Sequence, residues 1–426
     1  MLREHIKNTY VEILREELMA AMGCTEPIAI AYAAAILVDA LGETPYEIAA
    51  GLSGNIIKNV KSVVVPATGS RHGIEVAIAA GCVCARPDLK LALLSSLGAD
   101  SGEKIDTLLR NCKITVEEIP SSCTFDLILS GTSASGTATV RITGAHTNVL
   151  LVERNGENIT KRYANGTLTE TKVHETDRTL LNVEEIIEFA NEVDLSLVSD
   201  ILDSQIKMNM AIADEGIRGD WGASIGKTIL SIGNDVSRRA RAYAAAGSDA
   251  RMSGCELPVC IISGSGNQGM TASIPVVIYA REFEKSREEL LRALIVSDLV
   301  TIHQKTGIGC LSAYCGAISA GVGAGAGICY LMGGGYNEIA HTIVNSVAIL
   351  SGTICDGAKP SCAAKIAMAV EAGILGWEMA RSGREFFGGD GIIKKGVENT
   401  IKNVGRLAKE GMSATDREII KIMLDN

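Results

Sequence analysis

Late in the chain stand the residues whose type and spacing are best suited to chemistry. Cys310 and Cys315 lie in GIGCLSAYCGAISAG, and Cys355 and Cys362 lie in SGTICDGAKPSCAAKIA. Cys355-x6-Cys362 brackets DGAKPS, which reads as a turn between two helical segments, so both thiols can converge on one point. A third thiol from around position 315 would complete a three-thiolate site. Soft thiolates without histidine select zinc or an iron–sulfur cluster. Three cysteines leave one iron of a cluster without a protein thiolate, and an open coordination position is what a Lewis-acid catalyst needs. As a bare spacing, C-x6-C is not a specific signature.

A fifth cysteine sits far upstream. VEILREELMAAMG has apolar residues at three- and four-residue spacing until Gly23 breaks the pattern. CTEP follows, with Pro27 suited to the first turn of the next helix, IAIAYAAAILVDALG. Cys24 therefore falls at a helix start, where backbone N–H groups and the helix dipole favour a thiolate. A glycine-rich turn, Gly264-Ser265-Gly266-Asn267-Gln268-Gly269, follows the apolar run PVCII. Its formal G-x-G-x-x-G lacks the βαβ surroundings and distal acid of a dinucleotide site, because the next segment reads as helical throughout. A glycine-rich turn opening a helix still offers N–H groups to a carboxylate.

Other candidates read as structural. The six histidines, His5, His72, His146, His174, His303 and His341, show no metal-ligand spacing. Cys82 and Cys84 form C-x-C with no second pair nearby, and Cys112, Cys123, Cys255, Cys260 and Cys329 stand singly as small apolar residues. No lysine among Lys58, Lys227 and Lys305 is marked out for a Schiff base.

Positioning these groups falls to a chain of 426 residues, 47% hydrophobic and 21% charged, enough for two to three packed domains. Net charge is −10, which argues against a non-specific grip on nucleic acid or anionic lipid. Aromatics are only 4% while Gly numbers 45, so the core must be Ala, Ile, Leu, Val and Gly, favouring closely packed helices. The N-terminus MLREHIKNTY carries no apolar secretory region, and twelve cysteines without an oxidising compartment raise the prior for metal binding or catalysis.

The pattern predicts an α+β protein: an N-terminal helical segment over 1–50, a small α+β domain over 51–181 and a helical domain over 182–426. KSVVVPATGSRHG, CKITVEEIP, FDLILSGT, TATVRITG and TNVLLVERNG read as β-like runs, with helices at 73–85 and 98–111. Asn182 opens the first helix of the last domain. The uncharged stretch Thr306–Asn337 is poor in Leu and Phe, and reads as a buried central helix rather than a membrane span.

AMGCTEP, GNIIKN, SGSGNQG, LSAYCGA, GTICDGAKPSC and GGDGI occur in order along nearly the whole chain. With these motifs the sequence resembles the L-cysteine desulfidase family, itself similar to the iron–sulfur-dependent L-serine dehydratases. TATVRITGAHTNVLLVE resembles the small β domain of the latter. The resemblance implies a [4Fe–4S] cluster held by Cys315, Cys355 and Cys362, one iron lacking a protein thiolate, with Cys310 the competitor of Cys315. It implies Cys24 as the catalytic base, which requires the N-terminal segment to fold back over the C-terminal helical domain. Substrate contacts are assigned to Ser265, Asn267, Gln268, Asn55 and Asn59. The implied reaction is α,β-elimination of L-cysteine to pyruvate, sulfide and ammonia. The alternatives are an L-serine dehydratase and a non-enzymatic metal-binding helical bundle. Expected with it are a cytoplasmic location, an amino-acid substrate, no nucleic-acid or membrane partner, and compatibility with a homodimer.

Overall fold

A computed structural model describes residues 2–22, 25–121, 123, 125–144, 146–163, 176–309 and 312–424. In chain order the first elements are α1 (Glu4–Glu17), β1 (Met19–Met22), α2 (Thr25–Leu41), β2 (Glu47–Leu52), α3 (Gly54–Val60), α4 (Ile74–Cys84), α5 (Ser101–Asn111), β3 (Lys113–Glu118), β4 (Asp126–Ser133), β5 (Gly136–Thr143), β6 (Val149–Arg154) and β7 (Glu157–Asn158). There follow α6 (Val183–Glu192), α7 (Ser199–Arg218), α8 (Ile225–Ile232), α9 (Val236–Met252), β8 (Pro258–Ile261), α10 (Gly266–Glu282), α11 (Arg287–Ile308), α12 (Gly316–Leu331), α13 (Tyr336–Ile349), α14 (Cys362–Arg381), α15 (Val397–Arg406) and α16 (Ser413–Leu424). The fold is α+β, as the sequence pattern predicts.

The chain divides into two compact units. One comprises Met1–Met22, Glu175–Cys355 and Pro360–Asp416; the other comprises Gly23–His174, Asp356–Lys359 and Arg417–Asn426.

The first unit is helical. Its centre is α12, whose residues Ala317 to Cys329 are all buried and which packs against α10, α11, α13 and α14. A helix this poor in large side chains is stable there because Gly and Ala let neighbouring backbones approach and exclude water from all sides. This is the buried central helix expected from the uncharged stretch, and among the described residues no helix is long and apolar enough to cross a membrane. Asn182 caps α6, its side chain accepting the Glu185 N–H at 2.9 Å.

The second unit packs α2 on a six-stranded sheet ordered β3-β2-β4-β5-β6-β7, in which only the β2–β3 pairing is parallel. Strand β4 alternates buried and half-buried residues, one face toward α2.

Two expectations fail locally. The 1–50 stretch is not helical throughout: Met19–Met22 pairs antiparallel with Pro258–Ile261, and Glu47–Leu52 forms an interior strand between β3 and β4. Both segments carry paired alanines, and long-range pairing overrides their weak local preference. Conversely, KSVVVPATGSRHG forms no strand; an isolated bridge from Val64 to His72 is all that remains. Pro66 and the left-handed Ala67 (φ 58°) turn the chain before a ladder can extend.

Candidate functional site

The three expected ligand cysteines converge within the helical unit, and the sequence shows why. Cys315 is the N-cap of α12 and Cys362 is the first residue of α14. The two helices run parallel in close contact. A Cβ on Gly321 would fall 2.2 Å from Ala369 O, and one on Gly325 would fall 2.5 Å from Gly373 O. Both contacts join residues with the same sequence offset, so Cys315 stands level with Ala363, the neighbour of Cys362. Small residues thus bring two helix N-termini side by side, each adding a partial positive charge that favours thiolate.

Cys355 reaches the same point from the segment before α14. Tyr314 and Ile354 form an antiparallel bridge, the Cys315 N–H donating to Thr353 O at 2.9 Å and the Cys355 N–H to Ala313 O at 2.7 Å. That register sets Cys315 and Cys355 diagonally on one face. Their thiols share a hydrogen bond, which pushes the Cys315 thiol well above its ordinary range; burial and the neighbouring Cys355 and Cys362 sulfurs push the same way, and the Ala317 N–H opposes them. All three cysteines are half-buried. The Lys365 ammonium, one turn into α14, donates to Ile354 O at 2.8 Å and adds positive charge beside Cys355.

Among the described residues no three His, Cys, Asp or Glu side chains are closed on a single ion. A four-iron cluster asks for something different, since its thiolates sit on separate irons. The donor set fits such a group: soft sulfurs, two helix N-termini, a nearby cation, and a buried polar atom without a hydrogen-bond partner, Gln268 Oε1.

Gln268 reaches this place from the glycine-rich turn. Strand β8 leads into a tight turn in which Ser263 (φ 48°) and Gly264 (φ 74°) are both left-handed, closed by the Ser265 N–H donating to Ile262 O at 3.0 Å. The end of α1 anchors it, because Glu17 accepts the Ser263 N–H at 2.7 Å. Ser265 caps α10, its hydroxyl accepting the Gln268 N–H. The Gln268 amide lies over Gly316, where a Cβ would fall 2.6 Å from its Cδ. Asn267 donates to Met252 Sδ at 3.6 Å while its own Oδ1 has no hydrogen-bond partner. Since β8 pairs antiparallel with β1, the turn is not a dinucleotide fingerprint.

The remaining expected residues belong to the second unit. Asn55 stands half-buried in the first turn of α3, and Asn59 donates to Glu26 Oε1 at 3.2 Å. Asp356–Lys359, between the two late cysteines, packs on α3 in the same unit: the Ala358 N–H donates to Lys58 O at 3.2 Å. Sequence reasoning passed over His146, which packs on Phe125 with ring centroids 4.6 Å apart. Burial lowers its pKa and the Glu26 carboxylate opposes that shift. It also passed over Arg251, whose guanidinium lies on Gly266. A lone His and a lone Arg carry no spacing signal. Cys24 and Cys310 lie outside the described residues.

The family comparison defines the class of protein: an iron–sulfur-dependent lyase family of the dehydratase type. Residues 111–421 match the model of the serine dehydratase alpha chain family, to which the chain belongs together with the UPF0597 proteins. It is 54% identical to a UPF0597 protein of Desulfitobacterium hafniense over 98% of this chain and 96% of that one. It is 44% identical to one of Finegoldia magna, over 98% and 99% respectively. A third, from Lachnoclostridium phytofermentans, is 45% identical over 97% and 99%.

Proposed function

We propose that this protein is a [4Fe–4S]-dependent carbon–sulfur lyase that converts L-cysteine to pyruvate, sulfide and ammonia. The observation that supports it most is the meeting of Cys315, Cys355 and Cys362 at the N-termini of α12 and α14, with the Gln268 amide laid over the next residue, Gly316. These three would hold the cluster, leaving one iron without a protein thiolate. When bound, the cluster supplies a Lewis acid for the departing group. The residues do the rest. Cys24, which the sequence resemblance marks for the role, takes the α-proton as general base. Asn267 and Gln268 orient the amino acid, while Ser265 holds the first turn of α10 in place. The ten described free cysteines accord with a reducing compartment, and we assign the protein to the cytoplasm.

L-Serine dehydration is the second reading, favoured by the family description. Anaerobically purified, iron-reconstituted protein decides between them. Sulfide release from L-cysteine, at higher kcat/KM than pyruvate release from L-serine, is the expected result; the opposite order overturns it. A colourless protein that takes up no iron would refute both.

A further inference from the structure

We propose that Glu17 is a positioning residue for the substrate: by holding Ser263 it sets the first turn of α10, and with it the Asn267 and Gln268 amides that orient the amino acid. This rests on the amino-acid lyase reading above. Both oxygens of the Glu17 carboxylate, at the end of α1, are committed. Oε2 accepts the Ser263 N–H at 2.7 Å, and Oε1 accepts the Arg178 Nε–H at 2.9 Å. Arg178 is itself fixed, since Nη1 donates to Thr176 O at 2.9 Å and Nη2 to Glu16 Oε2 at 3.0 Å. The Thr176 hydroxyl donates in turn to Glu16 Oε1 at 2.6 Å. The Arg178 side chain is 14% exposed and that of Glu17 12%, so solvent and salt screen the pair little.

What Glu17 holds is a strained turn. Ser263 (φ 48°) and Gly264 (φ 74°) are both left-handed, a conformation that suits glycine and is costly for any other residue. The Ile262 N–H donates to Ser265 O at 3.2 Å and the Ser265 N–H to Ile262 O at 3.0 Å, which closes the turn and leaves the Ser263 N–H to Glu17. Ser265 then caps α10, its oxygen accepting the Gly269 N–H at 3.1 Å. Asn267 and Gln268 follow in that first turn, each with a buried side-chain oxygen that has no hydrogen-bond partner. The body of α10 is placed independently: a Cβ on Gly269 would fall 1.9 Å from Cys260 O, so the helix lies directly on β8. Releasing Glu17 therefore loosens the turn and the first residues of α10 while the helix and the three thiols stay in place. The consequence falls on substrate binding.

The test uses iron-reconstituted full-length protein. Glu17→Gln can serve Arg178 or Ser263 through its carbonyl oxygen, but not both with a charge. It should keep wild-type iron content and visible spectrum, raise KM for L-cysteine about tenfold and lower kcat less than about threefold. Calorimetry with L-alanine, which has no group to eliminate, should show a parallel loss of affinity. Ser263→Gly removes the cost of the left-handed residue. Alone it should leave KM within about twofold of wild type, and in the Glu17→Gln background it should restore KM and L-alanine affinity to within about threefold. Should Glu17→Gln fail to fold, Glu17→Asp serves, since it keeps the charge but is one methylene too short to span both partners; the same rescue is expected. A KM rise that Ser263→Gly leaves uncorrected would make Glu17 a structural ion-pair partner only and overturn the proposal. Wild-type KM and L-alanine affinity in a folded Glu17 variant would overturn it as well, and the lyase reading survives either result. Wild-type protein that takes up no iron and eliminates nothing from L-cysteine or L-serine would overturn both.

Discussion

Gly321 and Gly373 touch backbone to backbone: a Cβ on Gly373 would fall 2.1 Å from Gly321 O. Helices α12 and α14 can run parallel at this distance only because neither carries a side chain there, and their N-terminal cysteines are level only because they do. The contact is thus a structural cause of the thiol convergence, although it lies two to three turns away.

Gly373→Ala should therefore act at a distance. The added methyl has nowhere to go, and overpacking of this kind costs about 1–3 kcal/mol. Thermal unfolding should show a lower Tm, and iron uptake should fall because Cys315 and Cys362 part. A variant with wild-type Tm and full iron content would show that the crossing is not what sets the cysteines.

The ligand assignment makes a separable claim. Cys315→Ser, Cys355→Ser and Cys362→Ser should each lose iron and the broad visible absorbance of a cluster, while Cys310→Ser keeps both. Since cluster binding couples to folding, the three ligand variants should also unfold earlier than the reconstituted wild type. Loss of iron in Cys310→Ser with retention in Cys315→Ser would reverse the assignment.

Local signals made part of this legible. Asn182 announces its helix because an N-cap is a one-residue decision, and AGVGAGAG reads as a buried helix because only close packing makes use of so many small residues. DGAKPS was visible as a turn between helices. What stayed hidden was long-range: the pairing of Tyr314 with Ile354, the parallel run of α12 and α14, and the strand at Glu47–Leu52 whose partners lie some seventy residues on. Nothing in the neighbourhood of such a segment specifies its partner. Arg251 was invisible for the same reason, being one arginine at a helix end until Gly266 is folded against it.

Asp298 carries a pH dependence. It is fully buried in α11, accepts the Gln205 Nε2–H at 3.0 Å, and burial pushes its pKa from 3.8 to about 8. Below the unfolded value both states hold the proton and the group has no effect. Between there and about 8 the folded state keeps a proton the unfolded state has lost, so stability falls as pH rises, by up to about 1.4 kcal/mol per pH unit. Above that the contribution is constant. Asp298→Asn mimics the protonated acid and should flatten the dependence. Denaturant unfolding of both proteins between about pH 5 and pH 8 checks this. Equal slopes in the two would mean that Asp298 is ionised in the fold.

The assignment of Cys24 as base predicts a separation of iron from turnover. A base is not a ligand, so Cys24→Ala should take up as much iron as wild type, with the same visible spectrum, while kcat for L-cysteine falls about 100-fold or more. A structural role would also lower turnover, so a second readout is needed. Wild-type protein in deuterated buffer should exchange the α-proton of L-alanine, which has no group to eliminate. The alanine variant should bind L-alanine with unchanged affinity and exchange nothing, because only proton abstraction has been removed. Cys24→Ser, isosteric but far less acidic, should bind and fail in the same way. Exchange at the wild-type rate in either variant would pass the role of base to another residue, and His146, held neutral by burial near Glu26, would be the next to substitute.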